Sequence, residues 1–90
     1  MNNIKYNWYE DFANAIGKES EYFDTLEEAI ASAKEHVSNL RLTKKELEFA
    51  MKNNNSVVVN KVTLDEENEE VELESITSIV VNESNLKRVY

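Results

Sequence analysis

Residues 24–40 decide the fold, and their sequence is Asp24-Thr25-Leu26-Glu27-Glu28-Ala29-Ile30-Ala31-Ser32-Ala33-Lys34-Glu35-His36-Val37-Ser38-Asn39-Leu40. The apolar residues recur at intervals of four, three, four and three, at Leu26, Ile30, Ala33, Val37 and Leu40. This spacing is the period of one face of an α-helix. We therefore predict an amphipathic helix whose apolar face packs against a sheet.

Two helix starts are marked by capping-box spacing, in which a capping side chain and a Glu three residues later bond to the first backbone N–H groups. The main helix has two candidate boxes, Thr25 with Glu28 and Asp24 with Glu27. Their glutamates also lie where the helix dipole favours negative charge. A further box opens residues 43–52, for which we predict a short second helix.

Alternating β-branched and aromatic residues predict strands on both sides of this helical middle. The first strand covers residues 4–9, and a second covers residues 21–23, directly before the main helix. Residues 57–64 and 70–74 also alternate and are separated by a short polar turn. That arrangement predicts a β-hairpin with a loop of about four or five residues.

Three segments have alternative interpretations, and a fourth is predicted to be a loop. Residues 10–17 form either a helical turn that includes Ile16 or the irregular end of a hairpin. Residues 76–81 either continue the last strand or start another, and residues 86–90 form either a short edge strand or a loose tail. Residues 53–56 are expected to end the second helix as an exposed polar loop.

These elements predict a single α+β domain over residues 1–90. Their order is strand, strand, helix, helix, strand, strand. This order predicts two layers, with an antiparallel sheet of about four strands packed against the main helix and the short second helix. Because a hairpin has little stability alone, the main helix and the aromatic residues Trp8 and Phe23 should supply the common core.

The composition is acidic, with 10 Lys and Arg against 18 Asp and Glu and a net charge of −8 at pH 7. The charge is uneven, since residues 25–56 carry five side chains of each sign and residues 57–90 carry three basic and eight acidic ones. Such a surface repels nucleic acid and anionic lipid and is attracted to basic clefts. We therefore expect no direct binding to nucleic acid or to a membrane.

The sequence also argues against several kinds of chemistry. It has no cysteine, which removes disulfides, thiolate nucleophiles and cysteine-based zinc sites. Its single glycine, Gly17, excludes glycine-rich phosphate-binding loops. The N-terminus has no apolar run of signal-peptide length, so we expect a soluble cytoplasmic protein without a cofactor.

Residues 65–74 are the strongest candidate for a binding site, because seven of the ten side chains are acidic and none is basic. The seven are Asp65, Glu66, Glu67, Glu69, Glu70, Glu72 and Glu74. Alternate residues of a strand share a face, so Glu70, Glu72 and Glu74 should form one row spaced by about 6.8 Å, with Val71 and Leu73 behind it in the core. Like charges in a row repel one another, which favours a role against a basic partner. Simple solvation of the hairpin is the alternative.

Metal binding and catalysis are weaker interpretations. Asp65, Glu67 and Glu69 alternate as in a calcium loop, but the glycine and the distant glutamate of an EF-hand are missing, so no metal site is predicted. His36, the sole histidine, lies at the margin of the apolar stripe of the main helix. Because no nucleophile or orienting acid is marked by its spacing, we predict a boundary or surface histidine and no catalytic residue.

Trp8, Tyr9 and Phe12 offer a further candidate, an aromatic binding platform. The flanking Glu10 and Asp11 would repel a nucleic-acid backbone. We therefore predict that these aromatic residues pack in the core.

Three segments resemble the layout of small proteins carried by phages and mobile elements of low-GC bacteria. They are Tyr22-Phe23-Asp24-Thr25-Leu26-Glu27-Glu28-Ala29, Leu42-Thr43-Lys44-Lys45-Glu46 and Val57-Val58-Val59-Asn60-Lys61-Val62-Thr63-Leu64-Asp65. Short acidic chains of that origin are similar in character to anti-CRISPR and other anti-defence inhibitors, several of which place carboxylates in a basic nucleic-acid channel. The resemblance implies that residues 65–74 occupy such a channel of a defence nuclease in the cytoplasm of the bacterial host.

We therefore predict a non-enzymatic inhibitor or adaptor that binds a basic protein surface through its acidic hairpin. Ile76 and Tyr90 are candidate anchors for specificity. The alternative is a small structural or assembly module that forms a homodimer through a sheet edge. The apolar run Ile79-Val80-Val81 favours that alternative.

Overall fold

The computed structural model describes residues 3–13, 15 and 17–90. In chain order the elements are β1 (Asn3–Asp11), α1 (Leu26–Ser38), α2 (Lys44–Lys52), β2 (Ser56–Leu64), β3 (Glu70–Val80) and a short 3-10 helix, Glu83–Asn85. The strands form an antiparallel sheet in the order β1-β2-β3. The α+β class, the two helices and the hairpin are confirmed.

The prediction of about four strands is wrong, because residues 21–23 do not form a strand and the described sheet has three. The segment follows β1 and makes isolated backbone contacts, such as Phe23 N–H to the Tyr6 carbonyl at 2.7 Å. The reason lies at Ser20, whose side-chain Oγ accepts the N–H of Trp8 at 2.9 Å. A side chain thus occupies a position that a backbone carbonyl would need for a continuous ladder.

The structure shows the conformation of the described residues in the segments for which the sequence allowed alternatives. Glu10 and Asp11 belong to β1, so the described start of residues 10–17 is extended. Asn14 and Ile16, and with them part of the predicted helical turn, lie outside the described residues. Residues 76–80 continue the strand that begins at Glu70.

Helix α1 begins at the first of its two candidate capping boxes. The Glu28 N–H donates to Thr25 Oγ1 at 3.2 Å, so Thr25 is the N-cap and the Asp24 alternative is wrong. The buried face of α1 is built from small residues, Ala29, Ala33 and Val37. These let the helix lie close to the sheet, and the larger apolar residues of the predicted stripe flank them: Leu26, Ile30 and Leu40.

Helix α2 carries the complete capping box that its sequence predicts. Glu46 N–H donates to Thr43 Oγ1 at 3.2 Å, and Thr43 N–H donates to Glu46 Oε1 at 3.0 Å. The hydrogen bonds from the Thr43 backbone and side chain lower the pKa of the Glu46 carboxyl. The helix start is therefore fixed by local chemistry alone.

The loop after α2 differs from its prediction. Asn54 has a φ of 54° and reverses the chain, which suits asparagine. Asn55 and Ser56, however, are buried, so the prediction of an exposed loop is wrong for its second half. Asn55 Oδ1 accepts the N–H of Ala13 at 3.0 Å, which ties this loop to the end of β1.

Both faces of the sheet contain buried residues. Val57 and Val59 point toward α1 and join Trp8 in the main core. Val62 and Leu64 lie on the opposite face and are only 0% and 4% exposed. Hydrophobic burial is therefore not confined to the layer between sheet and helix.

A polar ladder crosses all three strands on that opposite face. Asn60 is 1% exposed, and its Nδ2 donates to Asn7 Oδ1 at 3.4 Å. The Ser75 hydroxyl donates to Asn60 Oδ1 at 3.1 Å. Because each amide has a partner, the buried asparagines do not carry the cost of unmade hydrogen bonds.

The C-terminal residues are neither an edge strand nor a loose tail. Leu86 is buried, the Lys87 N–H donates to the Ser38 carbonyl at 3.0 Å, and the Tyr90 N–H donates to the Leu42 carbonyl at 2.8 Å. This segment therefore packs against the C-terminal end of α1. It lies at the helical end of a molecule 48 Å long, whereas the β2–β3 turn lies at the other end.

Candidate functional site

The turn between β2 and β3 is held by one of the predicted acidic residues. Asp65 Oδ1 accepts the N–H groups of Glu67 and Glu69 at 2.9 and 3.0 Å, and the Asp65 N–H donates to the Glu69 carbonyl at 2.9 Å. Asn68 adopts a φ of 62°, as the turn requires. The Asp65 carboxylate therefore shapes the hairpin.

The predicted row of Glu70, Glu72 and Glu74 is wrong. Glu72 pairs with Thr63 but Glu70 pairs with Leu64, so a bulge at Val71 lies between them. Because neighbouring residues of β2 point to opposite faces, Glu70 lies on the face opposite to that of Glu72 and Glu74.

The apolar residues between these carboxylates are also outside the core. Val71 and Leu73 are 57% and 53% exposed, so the prediction that they lie in the core is wrong. The residues that fill the opposite face at this level come from the central strand, Val62 and Leu64. The start of β3 therefore presents carboxylates and apolar side chains together to solvent.

Glu70 has a structural partner at the other edge of the sheet. The Tyr22 hydroxyl donates to the Glu70 carboxylate. Tyr22 lies next to Phe23, which bridges to β1, so the contact joins the β1 edge of the sheet to β3. The contact crosses the face on which Val62 and Leu64 are buried. It raises the pKa of Tyr22 to about 12, chiefly through the hydrogen bond to Glu70, with smaller contributions from burial and from the charges of Glu70 and Glu19.

This contact predicts one late-titrating tyrosine. The folded pKa of Tyr22 is raised above its ordinary value of 10.0, so the link is complete below pH 10.0 and is lost as the pH rises through about 12. Tyrosinate absorbance measured against pH should show this step, and Tyr22→Phe should remove it. Glu70→Gln should move the step toward pH 10.0, whereas Glu72→Gln, the matched control on the same strand, should leave it in place. An unchanged step in Glu70→Gln would contradict the contact.

The seven predicted acidic residues therefore have different roles in the structure. Asp65 builds the turn and Glu70 binds Tyr22. The others lie on the exposed surface of the turn and of β3: Glu66, Glu67, Glu69, Glu72 and Glu74. We call residues 65–74 the acidic tip.

A second cluster of polar and aromatic side chains lies between β1 and α1. His36 Nε2 lies 2.6 Å from Glu10 Oε2, with the two side chains 20% and 12% exposed. The imidazole stacks on Trp8 with ring centroids 4.4 Å apart, and the Trp8 indole N–H donates to Ser32 Oγ at 2.9 Å. His36 is thus the predicted boundary residue, with an orienting acid that the sequence did not reveal.

This cluster has the residue types of a hydrolytic site but a different geometry. Ser32 receives its hydrogen bond from the indole of Trp8, and among the described residues no hydrogen bond joins Ser32 to His36. Glu10 Oε1 is engaged by the Lys18 N–H at 2.9 Å. The groups bond to one another and fasten the helix to the sheet.

No set of three or more His, Asp or Glu side chains within residues 3–13, 15 and 17–90 is arranged to hold a metal ion. The aromatic residues near Glu10 are also not an exposed platform. Trp8 is 5% exposed, and Tyr9 and Phe12 are half-buried. The core interpretation of Trp8 is confirmed.

One apolar pocket of about 330 Å³ lies at the helical end of the molecule. Phe12, Phe49 and Val81 contribute its apolar wall, and Lys45 and Glu46 are also among its lining residues. Tyr90, predicted as an anchor, also belongs to this end, where the Arg41 and Arg88 guanidinium carbons lie 4.9 Å from its ring centroid.

Comparison of the chain with models of protein families, with curated proteins and with solved structures finds no match. Among the helices of the described residues, none has the length and apolar character needed to cross a membrane.

Proposed function

We propose that the chain is a non-enzymatic inhibitor or adaptor that binds a basic protein surface through its acidic tip. The observation that carries this proposal is the start of β3, an edge strand on which Val71 and Leu73 are 57% and 53% exposed and Glu72 and Glu74 are exposed on the other face from Leu73. Exposed apolar side chains supply affinity and specificity, and the carboxylates select the charge of the partner.

Charge is segregated along the molecule in a way that suits this role. The acidic tip lies at one end, and Lys61, the basic residue on the strand beside it, pairs with Glu74. The helical and C-terminal end carries most of the basic side chains: Lys34, Arg41, Lys44, Lys45, Lys52, Lys87 and Arg88. A basic partner is therefore steered toward the hairpin end rather than toward the helices.

The partner proposed is the nucleic-acid-binding surface of a protein such as a CRISPR effector or another defence nuclease. Such a surface is built to hold phosphates, and Glu67, Glu69, Glu72 and Glu74 would stand in for them. The setting is the cytoplasm of a bacterial host. Ile76, at 40% exposure on the same strand, extends the apolar contact beyond Val71 and Leu73.

The test is capture of basic nucleic-acid-binding proteins by the immobilised chain, using purified candidate nucleases at low and high salt. Glu67, Glu72 and Glu74 are replaced together by Gln, and Asp65 and Glu70 are left unchanged because they maintain the hairpin. We expect affinity to fall by about tenfold or more, since charge complementarity is lost across a close contact. Added nucleic acid should compete with the wild-type chain.

A matched control variant replaces three carboxylates outside the tip, Glu21, Glu35 and Glu48, by Gln. It changes the net charge by the same amount, so a loss specific to the tip variant separates local contact from overall charge. The proposal is abandoned if both triple variants bind as well as the wild type. Capture that is insensitive to salt would also contradict it.

A further inference from the structure

The outer edge of β3 has backbone groups directed away from the sheet. The Val81 N–H donates to the Asn55 carbonyl on the β2 side at 2.9 Å. Backbone direction alternates along a strand, so Ser78 and Val80 direct their N–H and carbonyl groups outward. The amide of Asn85 donates to the Val80 carbonyl at 2.8 Å. No other hydrogen bond among the described residues reaches the outward groups of these two residues.

The side chains divide this edge into two halves. Residues 70–74 are acidic, whereas residues 75–80, Ser75-Ile76-Thr77-Ser78-Ile79-Val80, have no charge. Ile76 and Val80 are 40% and 44% exposed, so the uncharged half offers apolar contacts as well as backbone groups. Proteins usually protect such an edge with charge, proline or a β-bulge. This half has no charge and no proline, and its bulge lies at Ile76, so residues 77–80 are the regular part of the edge.

We infer that residues 76–80 pair antiparallel with the same residues of a second copy, across a two-fold axis at Ser78. The two Ser78 residues then exchange N–H and carbonyl hydrogen bonds. Val80 of each copy lies opposite Ile76 of the other, where the bulge at Ile76 interrupts the ladder and the contact is between apolar side chains. The two three-stranded sheets become one continuous sheet.

Charge selects this arrangement over other self-pairings. An antiparallel pair places the two acidic tips at opposite ends of the dimer, whereas a parallel pair would set the tips side by side. The carbonyl of Val80 already accepts from Asn85, but a carbonyl has two lone pairs and accepts a second donor. The homodimer predicted from the sequence used the apolar run Ile79-Val80-Val81. Val81 is buried and cannot contact a second copy, so Ile76 replaces it among the contact residues.

Sedimentation mass measured over a range of protein and salt concentrations tests the inference. Each copy has a net charge of −8, so salt should screen repulsion and strengthen the dimer. Binding of a basic partner at the acidic tip should instead weaken as the salt concentration rises. The salt dependence therefore distinguishes failure of the dimer proposal from failure of the proposed binding to a basic partner.

Ser78→Pro is the decisive variant, because it removes an outward N–H that β2 does not use. We expect an unchanged far-UV circular dichroism spectrum and a monomeric mass. Ile76→Glu with Val80→Glu should have the same effect without altering the backbone, and Leu73→Glu, which lies outside the paired half, should leave the dimer intact. A wild-type chain that stays monomeric, or a dimer that survives both edge variants, overturns the inference.

The orientation can be measured because the chain has no cysteine. Spin labels on Ser78→Cys should lie close together in the dimer, and labels on Glu67→Cys should lie far apart. A short distance between the labels at position 67 would mean that the tips meet, which contradicts the antiparallel arrangement.

Discussion

Replacing Trp8 by alanine is expected to remove much of the stability of the domain, at a cost of about 3–5 kcal/mol. Trp8 is 5% exposed and packs between β1 and the alanine face of α1, where no other side chain is as large. Domains of this size have a free energy of unfolding of roughly 5–13 kcal/mol, so the variant would lose from about a quarter to all of its stability. Urea unfolding followed by far-UV circular dichroism measures the loss.

Two further variants separate packing from hydrogen bonding at this site. Ser32→Ala removes the acceptor of the indole N–H, which lies at 2.9 Å, and should cost about 1–2 kcal/mol. Trp8→Phe keeps a ring in the core but loses both volume and the N–H group, so its stability should lie between those of Ser32→Ala and Trp8→Ala. A Trp8→Ala variant as stable as Ser32→Ala would show that the core does not depend on the indole.

Local chemistry explains which elements the sequence could predict. The caps at Thr25 and Thr43, the helical spacing from Leu26 and the alternation over residues 57–64 all act within a few residues of one another. Such signals determine where an element begins and what type it is. Both helices and the hairpin were predictable for this reason.

The errors arise where one residue changes the register or replaces a backbone group. The bulge at Val71 reverses the face of Glu70, and nothing in the alternation of residues 70–74 signals it. The Ser20 side chain interrupts the ladder beside β1 in the same way. A period-two pattern assumes regular pairing, so it cannot locate either irregularity.

The composition of the candidate site could be predicted, but its division of roles could not. The acidic character of residues 65–74 is visible in the sequence, whereas the bond between Tyr22 and Glu70 joins residues 48 positions apart. Glu10 and His36 are likewise 26 residues apart. Only the fold brings such partners together, so sequence spacing gave no sign that His36 has an acid beside it.

Replacing Gly17 by alanine is expected to destabilise the domain, although it adds only one methyl group. A Cβ at this position would lie 2.1 Å from the carbonyl oxygen of Glu10, closer than any real contact. The chain must therefore move away from β1, which strains the hydrogen bonds between Glu10 and Lys18, both at 2.9 Å. We expect a loss of about 1–3 kcal/mol in urea unfolding.

Lys18→Ala is the matched control, because it shortens the next, exposed side chain and keeps both backbone positions, so its effect should be within about 0.5 kcal/mol. Amide exchange then shows where the Gly17→Ala damage falls. The Glu10 amide should exchange faster because its acceptor is the Lys18 carbonyl, and the Tyr6 amide should be less affected because it bonds to Phe23. Faster exchange of the His36 amide as well would show that this edge segment also supports the docking of α1, because His36 Nε2 lies 2.6 Å from Glu10 Oε2. Equal stability of Gly17→Ala and Lys18→Ala would mean that the close approach to Glu10 is not required.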